Sequence, residues 1–446
     1  MRKLPPGPRL PAWCQSALGL VAAFPLLERC RQRYGPIFTV NALGGGTIVI
    51  VTAPRGVREV FVGSPDVLHG GAAIAFAHPE VGPHSIFVID GSRHLDERRL
   101  MTAAFRRDRL HSYLEVMCEV VARSVASWPR DRAFGVLPYT RRLTLEVILC
   151  TLLGVRRPER IEAMIATFMQ LLDLLVVPGL VYPWFQRSVN PTWRAFVQAR
   201  ERSRQLLREE LGERRGERSG ERSGASLDLT AVLARDAAAS PTGDDAVIDQ
   251  MLSMMVAGHE TTASSLAWAL REILRHPEVE ARVRAEIRAV VGEGQIKREH
   301  LAGLRYLEAC IKETLRLWPP IPLVVRRLTH PFPVMGYPLP AGVTVAPCSY
   351  LAHREPDLWP EPHRFLPDRF LGEAISNDAY FPFGGGARRC IGMGFSLEEM
   401  KAVLAAALQI EALTLASRAP VHPHRSWITL TPRPDVALMY AAGIAF

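Results

Sequence analysis

The sequence predicts a mainly α protein with a smaller β portion, and three stretches carry that expectation. From Asp244 to Arg275 apolar residues recur with helical spacing for on the order of 30 residues, roughly 45 to 50 Å at the α-helical rise, so this helix must cross the molecule. Ile391 to Ile410 repeats the pattern as an Ala/Leu-rich amphipathic helix. The strand-like runs are short by comparison: Ile37 to Val40 and Thr47 to Val51, joined through Leu43-Gly-Gly-Gly46, have the signature of a hairpin.

Whole-chain properties narrow the field. A chain of 446 residues exceeds the usual size of one core, yet no linker divides it, and its 48% hydrophobic content is ample for a large interior. The seven cysteines are odd in number, scattered, and free of C-x-x-C or Cys/His clustering, which suits a reducing cytoplasm and no zinc. Ala17 to Leu27 is apolar but too short to span a bilayer and makes a poor signal peptide, so no transmembrane anchor is expected. A net charge of +9 without basic blocks, at 22% charged residues, argues against nucleic acid and for an acidic protein partner.

Taken in order, Gln15 to Tyr34 reads as one helix before the hairpin. The hairpin glycines are followed by no G-K-[ST] or G-x-G-x-x-G, so they make a turn rather than a phosphate cradle. Leu68 to Asp90 fades into Gly, Ala, His and Pro as a long irregular loop. The helix Gly91 to Phe105 puts His94 and Arg98 on one face, and Leu110 to Trp128 and Leu143 to Gly154 read as core helices. Ile161 to Trp184 is unusually apolar. Residues 212–226, an imperfect G-E-R-S repeat, read as a disordered surface loop.

Inside the long helix sits Ala257-Gly-His-Glu-Thr-Thr262, where a carboxylate and two hydroxyls are poor choices for an apolar interior. A threonine hydroxyl there can bond the carbonyl four residues back and open a small groove fit for dioxygen and water. His300 to Leu317 reads as a further helix with Glu313 and Arg316 on one face. Pro319 to Arg326 enters a strand, and Val343 to Pro347 and Ile428 to Tyr440 supply more.

The stretch Phe383-Gly-Gly-Gly-Ala-Arg-Arg-Cys390-Ile-Gly392 organises the rest. Three glycines turn the backbone sharply, and Cys390 stands at the N-terminal end of the Ile391 helix, where amide groups and the dipole favour a thiolate. A sulfur anion beside arginines that can pair carboxylates suits haem, with its two propionates and open axial site. The pattern F-x-x-G-x-R-x-C-x-G, met by Phe383, Gly386, Arg388, Cys390 and Gly392, closely resembles the haem-binding signature of the cytochrome P-450 monooxygenases, and A-G-x-E-T-T resembles their oxygen-activation motif.

The resemblance covers Pro5 to the C-terminus and implies one catalytic unit over residues 1–446, with the P-450 fold and its long central helix over the haem. It implies haem b (iron protoporphyrin IX) with Cys390 as axial iron ligand, Arg388, Arg326, Arg98 and His94 at the propionates, His94 replacing the family's Trp, and Phe383, Gly384 and Ala257 against the cofactor. Thr261 would hydrogen-bond dioxygen and Glu260 would relay protons. Glu313, Arg316 and Arg369 would clamp the core. Phe76, Ile86, Phe87, Val88, Ile321, Leu323 and Val324 would border the substrate, with Ile161 to Trp184 as a lid.

The function expected is a monomeric, cytoplasmic monooxygenase of the soluble bacterial type, acting on an apolar small molecule such as a fatty acid, terpenoid or polyketide. No flavin or nicotinamide segment is seen, so electrons come from a ferredoxin and ferredoxin reductase. A peroxide-using haem hydroxylase and a non-catalytic haem ligand-binding protein are the rivals. The pair Glu260-Thr261 speaks against the first, and turnover with electrons against peroxide separates all three.

Overall fold

A computed structural model describes residues 4–441 apart from 45, 176–184, 188, 220–228, 232, 234–242, 373 and 427. Helices α1 (Ala12–Val21) and α2 (Ala23–Tyr34) replace the single helix expected there, with Ala22 at φ −147° and ψ 46° between them. Pro25 explains the break, because in a continuous helix its ring would clash with the Val21 carbonyl and offer it no N–H; in the first turn of α2 neither matters. The hairpin β1 (Ile37–Ala42) and β2 (Gly46–Val51) follows, with Ile37 opposite Val51. After α3 (Pro54–Val62) the stretch expected to be irregular forms β3 (Leu68–His69) and the helical turns Gly70–Ala73, Ala75–Ala77 and His78–Val81. Each turn is too short for its periodicity to be read.

Six helices then build the α layer: α4 (Gly91–Thr102), α5 (Arg107–Ala126), α6 (Leu137–Thr151), α7 (Pro158–Leu175), α8 (Pro191–Ser219) and the 33-residue α9 (Gly243–Arg275). The expected lid beyond Leu175 lies outside the described residues up to Trp184. The expected loop at 212–226 is helical as far as Ser219. Its Glu and Arg residues are good helix formers, and Arg214 pairs with Glu210 at 2.9 Å while Arg160 reaches Glu213 at 2.8 Å. Residues 220–226 lie outside the described residues.

The chain continues through α10 (Pro277–Val291), α11 (Arg305–Leu317) and, after the strands, α12 (Met393–Leu408). The helix expected from His300 begins instead at Arg305, behind a turn at Arg298–Leu301. The new start is capped from a distance, since the Glu286 carboxylate accepts the amides of Tyr306 and Leu307 at 2.7 and 2.9 Å. Strands β4 (Arg326–Leu328) and β5 (Thr344–Pro347) join the hairpin in a five-stranded sheet ordered β1-β2-β5-β4-β3, with β2 and β5 parallel. Between Val247 and Leu274, α9 is buried at every residue except Ala257, Gly258, Glu260 and Thr261. Among the described residues no helix is long and apolar enough to cross a membrane.

Candidate active site

The cysteine loop is shaped by what its glycines let approach. Gly384 and Gly386 take φ of +65° and +66°, and a Cβ on Gly385 or Gly386 would come within 2.2 Å of the Phe61 ring or the Phe61 carbonyl on α3. The glycines therefore close the loop onto Phe61. The Cys390 amide donates to the Phe383 carbonyl at 2.9 Å, and a Cβ on Gly384 would meet the Val324 side chain at 3.7 Å. Helix α12 begins at Met393 with Gly392 at its cap, so Cys390 stands just outside the helix rather than in its first turn. Burial pushes the Cys390 thiol up, opposed by the Gly392 amide, Arg98 and Arg389. Although Cys390 is solvent-accessible, the packing around its sulfur outweighs the expected stabilisation of the thiolate, and bonding to a metal is what deprotonates such a thiol outright.

Beside this loop the predicted cations converge. Arg326, on β4, is 8% exposed and reaches the Gly385 carbonyl at 3.4 Å, while half-buried Arg98 on α4 donates to the Arg389 carbonyl at 2.5 Å. Arg388 turns inward to the carbonyls of Ile86, Phe87 and Ile89 and pairs with Asp90 at 2.6 Å. His94 is buried among them. Burial, then Arg388 and Arg98, holds its pKa down at about 4; burial, then Arg388, lowers Arg326 to about 10. Asp90 is the charge that opposes them, so three guanidiniums face one carboxylate. Such a surplus beside a thiol and a glycine loop fits a flat group with two carboxylates, and the residues present suit haem. Asp90 was missed from sequence because it looks like a helix cap before Gly91, yet it makes no cap bond and instead holds Arg388 and the amides of Gly71 and Ala72.

On α9, the open residues Ala257, Gly258, Glu260 and Thr261 belong to the predicted motif. The Thr261 hydroxyl donates to the Ala257 carbonyl at 2.6 Å, and the Thr261 carbonyl accepts from Ser265 at 2.8 Å. The helix nevertheless continues unbroken. Thr262 faces the other way, 2% exposed and 3.2 Å from Ser396 on α12. Glu260 pairs with Arg141 of α6 at 2.6 Å, a partner that no local pattern announced. His259 is fully buried against Phe168 with neither ring nitrogen hydrogen-bonded, its Nδ1 3.9 Å from the Glu260 carboxylate, and burial, then Arg141, lowers its pKa to about 3. A Cβ on Gly258 would lie 2.9 Å from Ile148, so glycine is what lets α6 come this close.

Glu313 and Arg316 form a two-point ion pair at 2.6 and 2.8 Å, both side chains at 0% exposure, and Arg369 joins Glu313 at 3.2 Å. Arg316 also donates to the carbonyls of His353, Pro362 and Arg364. Of the residues expected at the substrate, Ile86 and Val88 are buried, Phe87, Ile321, Leu323 and Val324 are half-buried, and Phe76 is exposed.

The family model named Cytochrome P450 matches residues 5–438. The protein named "Putative cytochrome P450 135B1" of Mycobacterium tuberculosis is 36% identical over 438 residues, 96% of this chain and 89% of that protein. "Putative cytochrome P450 138" of Mycobacterium bovis is 31% identical over 448 residues, 97% and 95% of the two chains. The solved structure "Retinoic acid bound cyanobacterial CYP120A1" gives a TM-score of 0.83 at 23% identity, covering 98% of this chain and 99% of that one, a likeness of fold. With the family matched over nearly its whole length, the chain belongs to the cytochrome P450 family, the monooxygenases that bind haem through a cysteine thiolate.

Proposed function

We propose that this chain inserts one atom of dioxygen into an apolar small molecule of fatty-acid, terpenoid or polyketide type, with electrons delivered by a separate ferredoxin and its reductase. The observation that carries this reading is the open patch on α9: in a helix otherwise buried from Val247 to Leu274, the residues that are only half-buried are those of the acid-alcohol motif.

Cys390 would hold the haem iron, with the Gly392 amide, Arg98 and Arg389 favouring its charge, and Arg98, Arg326 and Arg388 would pair the propionates. When bound, haem supplies the iron at which dioxygen is reduced and one oxygen atom transferred. The chain's own part is to place protons. Because the Thr261 hydroxyl proton is committed to the Ala257 carbonyl, its oxygen is left as an acceptor that can hold a water or other proton donor over the open patch. The Glu260 carboxylate, 16% exposed and held by Arg141, is a group able to hand on a proton once that ion pair opens. Buried His259 beside it stays neutral.

The test is spectroscopic. The reduced carbon-monoxide complex should show the strongly red-shifted Soret band of thiolate haem, Cys390→His should abolish it, and Cys310→Ser and Cys348→Ser should leave it in place. An unchanged band in Cys390→His ends the assignment. A ligand library read by displacement of the axial water then defines the substrate class.

A further inference from the structure

We propose that the face of α1 bearing Trp13, Leu20 and Val21 docks this chain onto the surface of an anionic lipid bilayer. Helix α1 is inside out. Of its ten residues, AWCQSALGLV, the one that is buried is the polar Gln15. Gln15 donates to the carbonyl of Leu10 at 2.7 Å and accepts the Asn41 amide at 2.9 Å, and the Ser16 hydroxyl accepts the Leu43 amide at 2.7 Å, so the polar side of α1 is bonded to the β1–β2 hairpin. On the opposite side Trp13, Ala17, Leu20 and Val21 recur at i, i+4, i+7 and i+8, and Trp13, Leu20 and Val21 are 63%, 72% and 83% exposed. Leu10 is 47% exposed just before them and Leu43 52% exposed on the hairpin.

A contiguous apolar stripe held outward by its own polar bonds requires a cover. Charge says which. Arg2, Lys3 and exposed Arg9 precede the helix, the helix carries no charge, and no acidic residue occurs before Glu28. A second copy docking through the same face would set these cations against their like. An anionic bilayer instead supplies the apolar phase for the stripe, the interfacial region that tryptophan prefers, and counter-charge for the arginines and lysine. The helix would lie in the interface plane.

The experiment is flotation of full-length, haem-loaded protein with phosphatidylcholine vesicles made with and without phosphatidylglycerol. Wild type should float with the anionic vesicles, less so as salt rises, and weakly with phosphatidylcholine alone. The variant Trp13→Ser/Leu20→Ser/Val21→Ser should lower the partition coefficient by at least about tenfold while keeping the carbon-monoxide band. Arg9→Glu, which leaves the stripe intact, should weaken binding to anionic vesicles alone. Wild type that stays with the soluble fraction, or a triple variant that floats equally well, overturns the proposal. So does a sedimentation-velocity dimer lost in the triple variant without flotation of wild type, since the cover is then a second copy.

Discussion

At the scale of single residues, the two threonines of the α9 motif are adjacent in sequence and opposite in circumstance. Thr261 is open and bonded to its own helix, whereas Thr262 is buried and tied to Ser396 of α12. Removing the Thr261 hydroxyl takes away an acceptor over the open patch without touching the core. Thr261→Ala should keep substrate binding and consume reducing equivalents at a similar rate, yet divert them into hydrogen peroxide and lower product formed per electron pair. Thr262→Ala should cost stability on the order of 1 kcal/mol through its lost hydrogen bond and change coupling less. Titrating peroxide and product in the same samples decides this, and full coupling in Thr261→Ala would remove that residue from the proton path. The sequence showed both hydroxyls but not Arg141, which reaches Glu260 from a helix 119 positions away. No local pattern encodes such a pair.

At the scale of elements, the hairpin and α9 were legible because a glycine turn between two β-branched runs marks the first and the sheer length of an apolar, proline-free run marks the second. Where prediction slipped, the boundary was set by something the period does not contain: the ring of Pro25 in the first turn of α2, and the Glu286 cap that starts α11. Helix α11 also carries the Glu313–Arg316 pair, which spacing alone could place on one face and only the family resemblance in the interior. Burial decides its energetics, because the loss of one partner leaves the other charged, desolvated and unpaired. Glu313→Ala or Arg316→Ala should therefore destabilise the fold by roughly 3 to 5 kcal/mol and give little haem-loaded protein. Arg369→Ala, which removes a 3.2 Å contact to the same carboxylate and bonds to the Pro360 and Glu361 carbonyls but leaves Glu313 paired with Arg316, should cost less. Normal melting and haem content in the Glu313 and Arg316 variants would refute this account.

At the scale of the molecule, a ten-residue signature sufficed to name the family because its chemistry is contiguous in the chain; the surfaces that meet partners are assembled from distant parts and were not legible. The cysteine face illustrates the difference. Of the two arginines before Cys390, Arg388 faces inward, toward Asp90, three carbonyls and the proposed propionate site, leaving exposed Arg389, whose guanidinium reaches the Met393 sulfur at 3.4 Å. On a chain of net charge +9, an exposed cation above the haem ligand would act chiefly by steering an acidic ferredoxin into place. Steering is screened over about 8 Å at physiological ionic strength, so reduction by ferredoxin should slow as salt rises. Arg389→Glu should lower the second-order rate constant by about tenfold at low salt, Arg389→Lys should retain most of it, and the gap should close as salt is added. Because Arg389 also lies close enough to Cys390 to favour its charge, the reduction potential and the carbon-monoxide band must be measured alongside. Equal rates and equal salt slopes for wild type and Arg389→Glu would mean that the ferredoxin docks on another face.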